Sequence, residues 1–368
     1  MIKEGLISAD SHVTEPPNCY QDYIDKKYRD DAPYVAEQPD GSEAFIIRGA
    51  NPVPFGLMKA AGLKPQEIKP RIRFHDHHLS GSDPTLRAEA QDRDNIAAEI
   101  LFASVGLMLN AVTDMDYKQA CFDAYNRWLA EYCAELPERV FGLGQTAIVS
   151  VDQAIADFQQ ARKMDFVGIM MPGEPAQSDY DDPMYDELWS CAEELDLTLA
   201  FHIFTTKKDI TETYEHSRGP LINGFMNMPR AIQDTIGLFV LGGVLERHPK
   251  LRLASSEGDT SWAPHLASCM DRAHKRHHAW LKGERLSQPP SFYIDQQVYF
   301  TFQTDWPAFK CTTVMNPRRI MWANDFPHSD STWPNSQHLI DEHSQHLSAE
   351  EKNWIVRSNV AECYRLPV

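Results

Sequence analysis

Short apolar runs rich in β-formers alternate along this chain with longer segments of helical period. Eight runs read as strands: Gly5–Ala9, Glu99–Ala103, Val140–Thr146, Phe166–Met171, Thr198–Phe204, Leu251–Ser255, Val298–Phe302 and Ile320–Ala323. Between them the periodicity predicts helices over Tyr117–Glu135, Val151–Lys163, Pro183–Leu195, Arg218–Arg247 and Ser261–Trp280. A β-strand followed by a helix, repeated eight times, is the pattern of an α/β protein folded as a (β/α)8 TIM barrel. The chain of 368 residues is longer than the usual barrel of about 250. Most of the excess lies in residues 17–84, which are rich in Pro, Gly and charge and only weakly periodic. An insertion after the first strand belongs at the C-terminal face of a barrel, so this segment is expected to roof the active-site mouth. The irregular stretch Thr205–Gly219 after the fifth strand is a second lid candidate, and Pro334–Val368 reads as two closing helices. The whole of 1–368 is expected to form one barrel domain.

Charge narrows the partners. With 35 Lys+Arg against 53 Asp+Glu the net charge is −18, which repels phosphate backbones and speaks against nucleic acid. No run of about 18 apolar residues is present and the opening residues lack the apolar core of a signal peptide, so a cytoplasmic protein with no membrane partner is expected. The seven cysteines are scattered without a CxxC pair and read as reduced thiols.

The chemistry gathers at strand ends. Asp10 and His12 close the first strand, and alternation aims both to one face. His202 lies in the apolar fifth strand, where an imidazole needs a partner. Glu257 ends the sixth strand, with Asp259 beyond it as a helix-start residue; Asp325 and His328 end the eighth, across Pro327. Taken singly, each has a structural explanation as a cap or a satisfied core group. Together, Asp10, His12, His202, Glu257, Asp325 and His328 converge on one rim and predict a divalent-metal site.

The segments Ala9–Pro16, Phe166–Pro172, Tyr180–Pro183, Phe201–Ile203, Trp262–Pro264, Asn324–His328 and Asn359–Tyr364 make the chain resemble the amidohydrolase superfamily, in its amidohydrolase family 2 branch with aminocarboxymuconate-semialdehyde decarboxylase. The resemblance implies that Asp10, His12, His202 and Asp325 are metal ligands, and that the protein is a homodimer. Two departures matter. The decarboxylases carry a catalytic His where Glu257 stands, and the fourth strand lacks the Lys that is carbamylated in other branches, offering only Glu174 beyond it.

Two mechanisms follow. One ion, zinc or manganese, would activate water with Asp325 as base, giving a hydrolase, or would support a decarboxylase acting on a carboxylated organic substrate. Adding Glu257 and His328 gives three imidazoles and three carboxylates, enough for two ions. Two irons would suit an O2-dependent monooxygenase acting on a bulky apolar carboxylic acid or acyl thioester, similar to the superfamily's nonheme diiron branch from diterpenoid biosynthesis. The replacement at position 257 favours this second mechanism, with Asp325, Glu257 and His328 as the catalytic groups. Either way the partner is a small molecule, joined by O2 in the oxygenase. Arg71, Arg73 and Trp262 are the expected substrate contacts, the arginines as a carboxylate clamp. The cluster His75–His78 could lend a ligand from the insertion, whereas His274–His278 suits a helix C-terminus.

Overall fold

The structure, a computed structural model, describes residues 1–205, 218–281, 283 and 285–368. Eight parallel strands form one sheet in the order β1 (Leu6–His12), β5 (Ile96–Phe102), β6 (Val140–Gln145), β7 (Gly168–Met171), β8 (Thr198–His202), β9 (Leu253–Ser256), β10 (Val298–Phe302) and β11 (Ile320–Trp322). All residues of β1, β5, β7, β8, β9, β10 and β11 are buried, as expected for strands covered by helices on one face and by barrel interior on the other. The gap between β11 and β1 is bridged just beyond β11, where Asp325 N donates to Asp10 O (3.0 Å) and His12 N to Phe326 O (2.8 Å). The fold is therefore a nearly closed (β/α)8 barrel, with the last seam tied at the residues that matter most.

Local sequence explains the surrounding helices. Asp83 caps the helix Pro84–Arg93 by accepting from Leu86 N, Asp114 caps Met115–Glu135 through Tyr117 N, and Ser150 caps Val151–Lys163 through Gln153 N. Met115–Glu135 turns Tyr117, Cys121, Ala124, Tyr125, Trp128 and Tyr132 inward, a helical stripe laid on the barrel. The segment expected as a single helix over Arg218–Arg247 is broken. It contains a 3-10 turn (Leu221–Met226), the helix Asn227–Leu241 and a short helix Val244–Arg247. Gly243, at φ +74°, takes the left-handed conformation that ends the run.

Residues 17–84 are more regular than their periodicity suggested. They contain an antiparallel sheet of β2 (Tyr34–Glu37), β3 (Glu43–Ile46) and β4 (Val53–Pro54). Gly41 (φ +79°) turns the chain between the first two. The segment is tied to the barrel mouth by backbone bonds from Ala61 N to Pro327 O (3.0 Å) and from Ser329 N to Leu57 O (2.8 Å). At the other end of the chain, Asn359 donates to the carbonyls of Pro317 (2.8 Å) and Ile320 (2.7 Å) and fastens the C-terminal helix Asn359–Tyr364 below β11. Most of the lid candidate Thr205–Gly219 lies outside the described residues. All seven cysteines are free thiols.

Candidate metal centre

β1 runs three residues further than the apolar pattern indicated, so Asp10 and His12 are themselves strand residues. Its pairing with β5 shifts register between Ser8 and Ser11, the kind of irregularity that re-aims side chains at the rim of a barrel. Ser11 Oγ donates to Asn324 Oδ1 (2.7 Å) and Asn324 N donates to Ser8 Oγ (2.9 Å), locking β1 to the residue before Asp325. Behind them Arg87, fully buried, donates to Glu99 Oε2 and to the His12 carbonyl, each at 2.6 Å. Asp325 (φ +51°) and Glu257 (φ +54°) both sit in the left-handed region, a conformation costing a non-glycine residue roughly 1–2 kcal/mol. The surrounding fold holds them there.

The six strand-end side chains do converge. His12 Nε2 lies 3.5 Å from Asp10 Oδ1, 3.4 Å from Asp325 Oδ1 and 4.0 Å from Glu257 Oε2. His202 Nε2 lies 3.0 Å from Glu257 Oε2 and 3.6 Å from Asp10 Oδ2, and His328 Nδ1 lies 3.3 Å from Asp325 Oδ1. Two overlapping groups bring one potential ligand atom from each residue within 4.8 Å of all the others: Asp10, His12 and His202, and His12, Glu257, Asp325 and His328. His12 Nδ1 donates to Ala103 O and His202 Nδ1 to Ile203 O, both at 2.8 Å. A carbonyl can only accept, so each Nδ1 carries a proton and each Nε2 is the nitrogen turned inward, the one that would ligate an ion in the cluster. That is how metal-binding histidines are commonly oriented.

The donor set fits a divalent cation. Both carboxylate oxygens of Asp10 and of Asp325, with Nε2 of His12 and of His202, are buried and make no hydrogen bond. Leaving such atoms unsatisfied is costly, and a cation among them would offset that cost. Ligand atoms about 2.1 Å from one ion are separated by roughly 3.0 Å along an octahedral edge and 3.4 Å along a tetrahedral one. Most distances between neighbouring donors, 3.0–3.6 Å, lie at or slightly beyond those edges, with His12 to Glu257 longer at 4.0 Å. Burial raises the Asp10 and Asp325 carboxyls, with Glu257 adding to both; at Asp10 the nearby His202 opposes the rise. Burial would lower His202, but the Asp10 and Glu257 carboxylates override it and lift the imidazole to about 10. Positive charge is thus favoured at the centre of the cluster. His12 and His328 are instead kept neutral, His328 at about 4, chiefly by burial.

The other expected contacts fall elsewhere. Arg71 pairs with Asp40 (3.2 Å), while Arg73 donates to Gly41 O (3.1 Å) and faces Glu37 (3.6 Å). Their side chains are 70% and 58% exposed, and the surface recess they line with Asp40, Lys69 and Asp76 includes none of the six converging residues. A carboxylate clamp over the cluster is therefore not what these arginines form; the insertion's own acids hold them outward. Trp262 follows the Glu257 turn, partly buried, with its indole N–H donated to Gly258 O (2.6 Å) and its ring edge on Phe300. His78 bonds to Ala61 O (2.8 Å) and packs on Trp333, and His75 and His77 are exposed, so the His75–His78 run adds no ligand. β7 ends in Met170 and Met171 and carries no lysine.

Two residues passed over in the sequence join the site. Ser104, two residues past the end of β5, meets His328 Nε2 at 2.7 Å. Glu15, buried, accepts from Val105 N and Gly106 N at 2.9 Å each. Ser104 carried the same signal as the others, a polar residue at a strand's C-terminal end.

A family model described as amidohydrolase matches residues 50–366. Among solved structures, an amidohydrolase of Mycobacterium avium subsp. paratuberculosis K-10 is similar with a TM-score of 0.80 and 18% identity, over 99% of this chain and 100% of that one. The 5-carboxyvanillate decarboxylase of Sphingomonas paucimobilis matches with a TM-score of 0.72 and 18% identity, over 99% and 100% of the two chains. A dihydroxybenzoic acid decarboxylase of Polaromonas sp. JS666, solved with manganese and 2-nitroresorcinol, matches with a TM-score of 0.65 and 16% identity, over 100% and 98%. At these identities the likeness is one of fold.

Proposed function

The chain belongs to the amidohydrolase family and is a metal-dependent enzyme, and from that premise we propose that it is a decarboxylase acting on a carboxylated organic substrate with one divalent ion, manganese or zinc. The observation that carries the reading is the set of unpartnered, buried donor atoms of Asp10, His12, His202 and Asp325, each 3.4–3.6 Å from the next. Decarboxylases among the structural neighbours, three of the solved structures holding manganese, favour this chemistry and give no support to iron over manganese.

The ion would supply Lewis acidity for substrate oxygens. The protein's own residues supply the rest. As the bond from the carboxylate to carbon breaks, its electron pair stays on the substrate carbon, CO2 leaves and that carbon takes a proton. Asp325 is placed to deliver it, since its carboxyl lies at the middle of the cluster, 3.4 Å from His12 Nε2 and 3.3 Å from His328 Nδ1. Glu257, 3.0 Å from His202 Nε2, stands where the resemblance leads to the expectation of a histidine, and it borders the ligand atoms.

The experiment is anaerobic incubation of manganese-loaded protein with a panel of aromatic acids bearing a hydroxyl beside the carboxylate. Metal-dependent CO2 release without O2 is expected. Hydrolysis of ester or amide substrates with no CO2 from any acid would move the protein to the hydrolase side of the family. A second reading, the two-iron monooxygenase, is favoured by one observation: Glu257 and His328 lie within ligand reach of His12 and Asp325. It requires O2 consumption in step with product, which the same assay repeated on iron-loaded protein with O2 admitted and followed by an oxygen electrode excludes or establishes.

A further inference from the structure

The two stacked imidazoles of the cluster are oriented by one dipeptide. The rings of His12 and His328 lie 3.8 Å apart at 22°. Ala103 O takes the proton of His12 Nδ1, and the next residue, Ser104, meets His328 Nε2. Ser104 Oγ also lies 2.6 Å from Val13 O, which can only accept, so the single hydroxyl proton is committed there. The oxygen is then left as an acceptor, and His328 Nε2 must carry the proton that joins them. His328 is thus the opposite tautomer from His12 and His202: its Nδ1 bears the lone pair, 3.3 Å from Asp325 Oδ1.

Stacking on His12 fixes the plane of the His328 ring but does not distinguish it from the ring turned through half a rotation. Only a directional bond selects between the two, and Ser104 makes it. Ser104 is itself held from two sides. Its hydroxyl reaches back to the chain leaving β1, and the Glu15 carboxylate from that same segment takes the amide protons of Val105 and Gly106. Ser104 is 1% exposed, so water does not compete for the bond.

We propose that Ser104 is a positioning residue that sets the tautomer of His328, so that Nδ1 and not Nε2 is presented to Asp325 and to an ion in the cluster. The proposal rests on reading that cluster as the reaction site. It assigns His328 a lone pair beside the carboxyl that handles the proton, where it can accept from Asp325 or ligate.

The test is nitrogen-15 histidine NMR on the zinc-loaded full chain, with the His328 signals identified by their loss in His328→Gln. Wild-type protein is expected to carry the His328 proton on Nε2, and Ser104→Thr, which keeps the hydroxyl, to do the same. Ser104→Ala is expected to shift His328 to a mixture or to the Nδ1 tautomer. With a decarboxylated substrate in hand, Ser104→Ala is also expected to lower kcat roughly 10- to 100-fold, with KM changed much less. A wild-type His328 protonated on Nδ1, or a Ser104→Ala spectrum identical to wild type, would overturn the proposal; the first needs no variant to fold. The spectra decide the matter even if no acid is decarboxylated, so this proposal and the decarboxylase reading fail separately.

Discussion

His202→Ala is expected to lose its metal and its turnover together. The imidazole is the only donor that β8 brings to the cluster, and its Nε2 faces both Asp10 and Glu257. Removing it leaves the buried Asp10 and the partly buried Glu257 beside a void with one partner fewer. Changing groups that merely orient a ligand costs about 10- to 100-fold in affinity. Loss of the ligand itself should exceed that, weakening manganese binding by at least roughly 100-fold and taking activity to background. Metal titration of the stripped protein with elemental analysis after desalting checks this. An alanine variant that keeps a full complement of metal would remove His202 from the ligand set.

The second large effect is on stability. Arg87 and Glu99 form an ion pair at 2.6 Å with side chains 0% and 1% exposed. Gln91 donates to the same carboxylate oxygen and Arg87 also holds the His12 carbonyl. Arg87→Met leaves a buried carboxylate without its cation and should destabilise the fold by roughly 3–5 kcal/mol. A companion change, Arg87→Met with Glu99→Leu, removes both charges and is expected to recover much of that loss, because replacing a buried pair by apolar groups is often close to neutral. Urea unfolding of the three proteins at matched metal concentration reads both effects. Stability of Arg87→Met within about 0.5 kcal/mol of wild type, the range of ordinary surface substitutions, would show the pair to be unimportant.

The barrel was legible because buried parallel strands leave continuous apolar runs, and all eight were visible. The first run stopped short where function begins. Asp10, Ser11 and His12 are poor strand formers by composition, and it is the seam with Asn324, Asp325 and Phe326 that keeps them extended. The small sheet in residues 17–84 escaped notice because its strands have four residues or fewer and are only partly buried, giving no clean alternation. The break at Gly242 and Gly243 was passed over because the apolar periodicity resumes directly after it.

The same contrast holds in the site. Six donors were readable one by one, since each lies at or just past the end of a barrel strand and the fold gathers those ends. Their supports were not. Ser104 acts on a ring 224 positions away and Arg87 on a carbonyl 75 positions away, relations that only the folded register creates. The arginines at 71 and 73 misled for the complementary reason: a basic pair in an insertion looks like a clamp until its acidic neighbours Asp40 and Glu37 are brought alongside.

The central claim is one divalent ion held by Asp10, His12, His202 and Asp325, and metal content per chain tests it most directly. Protein expressed separately in manganese-, zinc- and iron-supplemented medium and purified without chelators would be analysed for metal and assayed anaerobically. About one ion per chain is expected, with the manganese form active in the absence of O2. Two irons per chain, with turnover confined to aerobic solution, would contradict the account and assign Glu257 and His328 to a second metal.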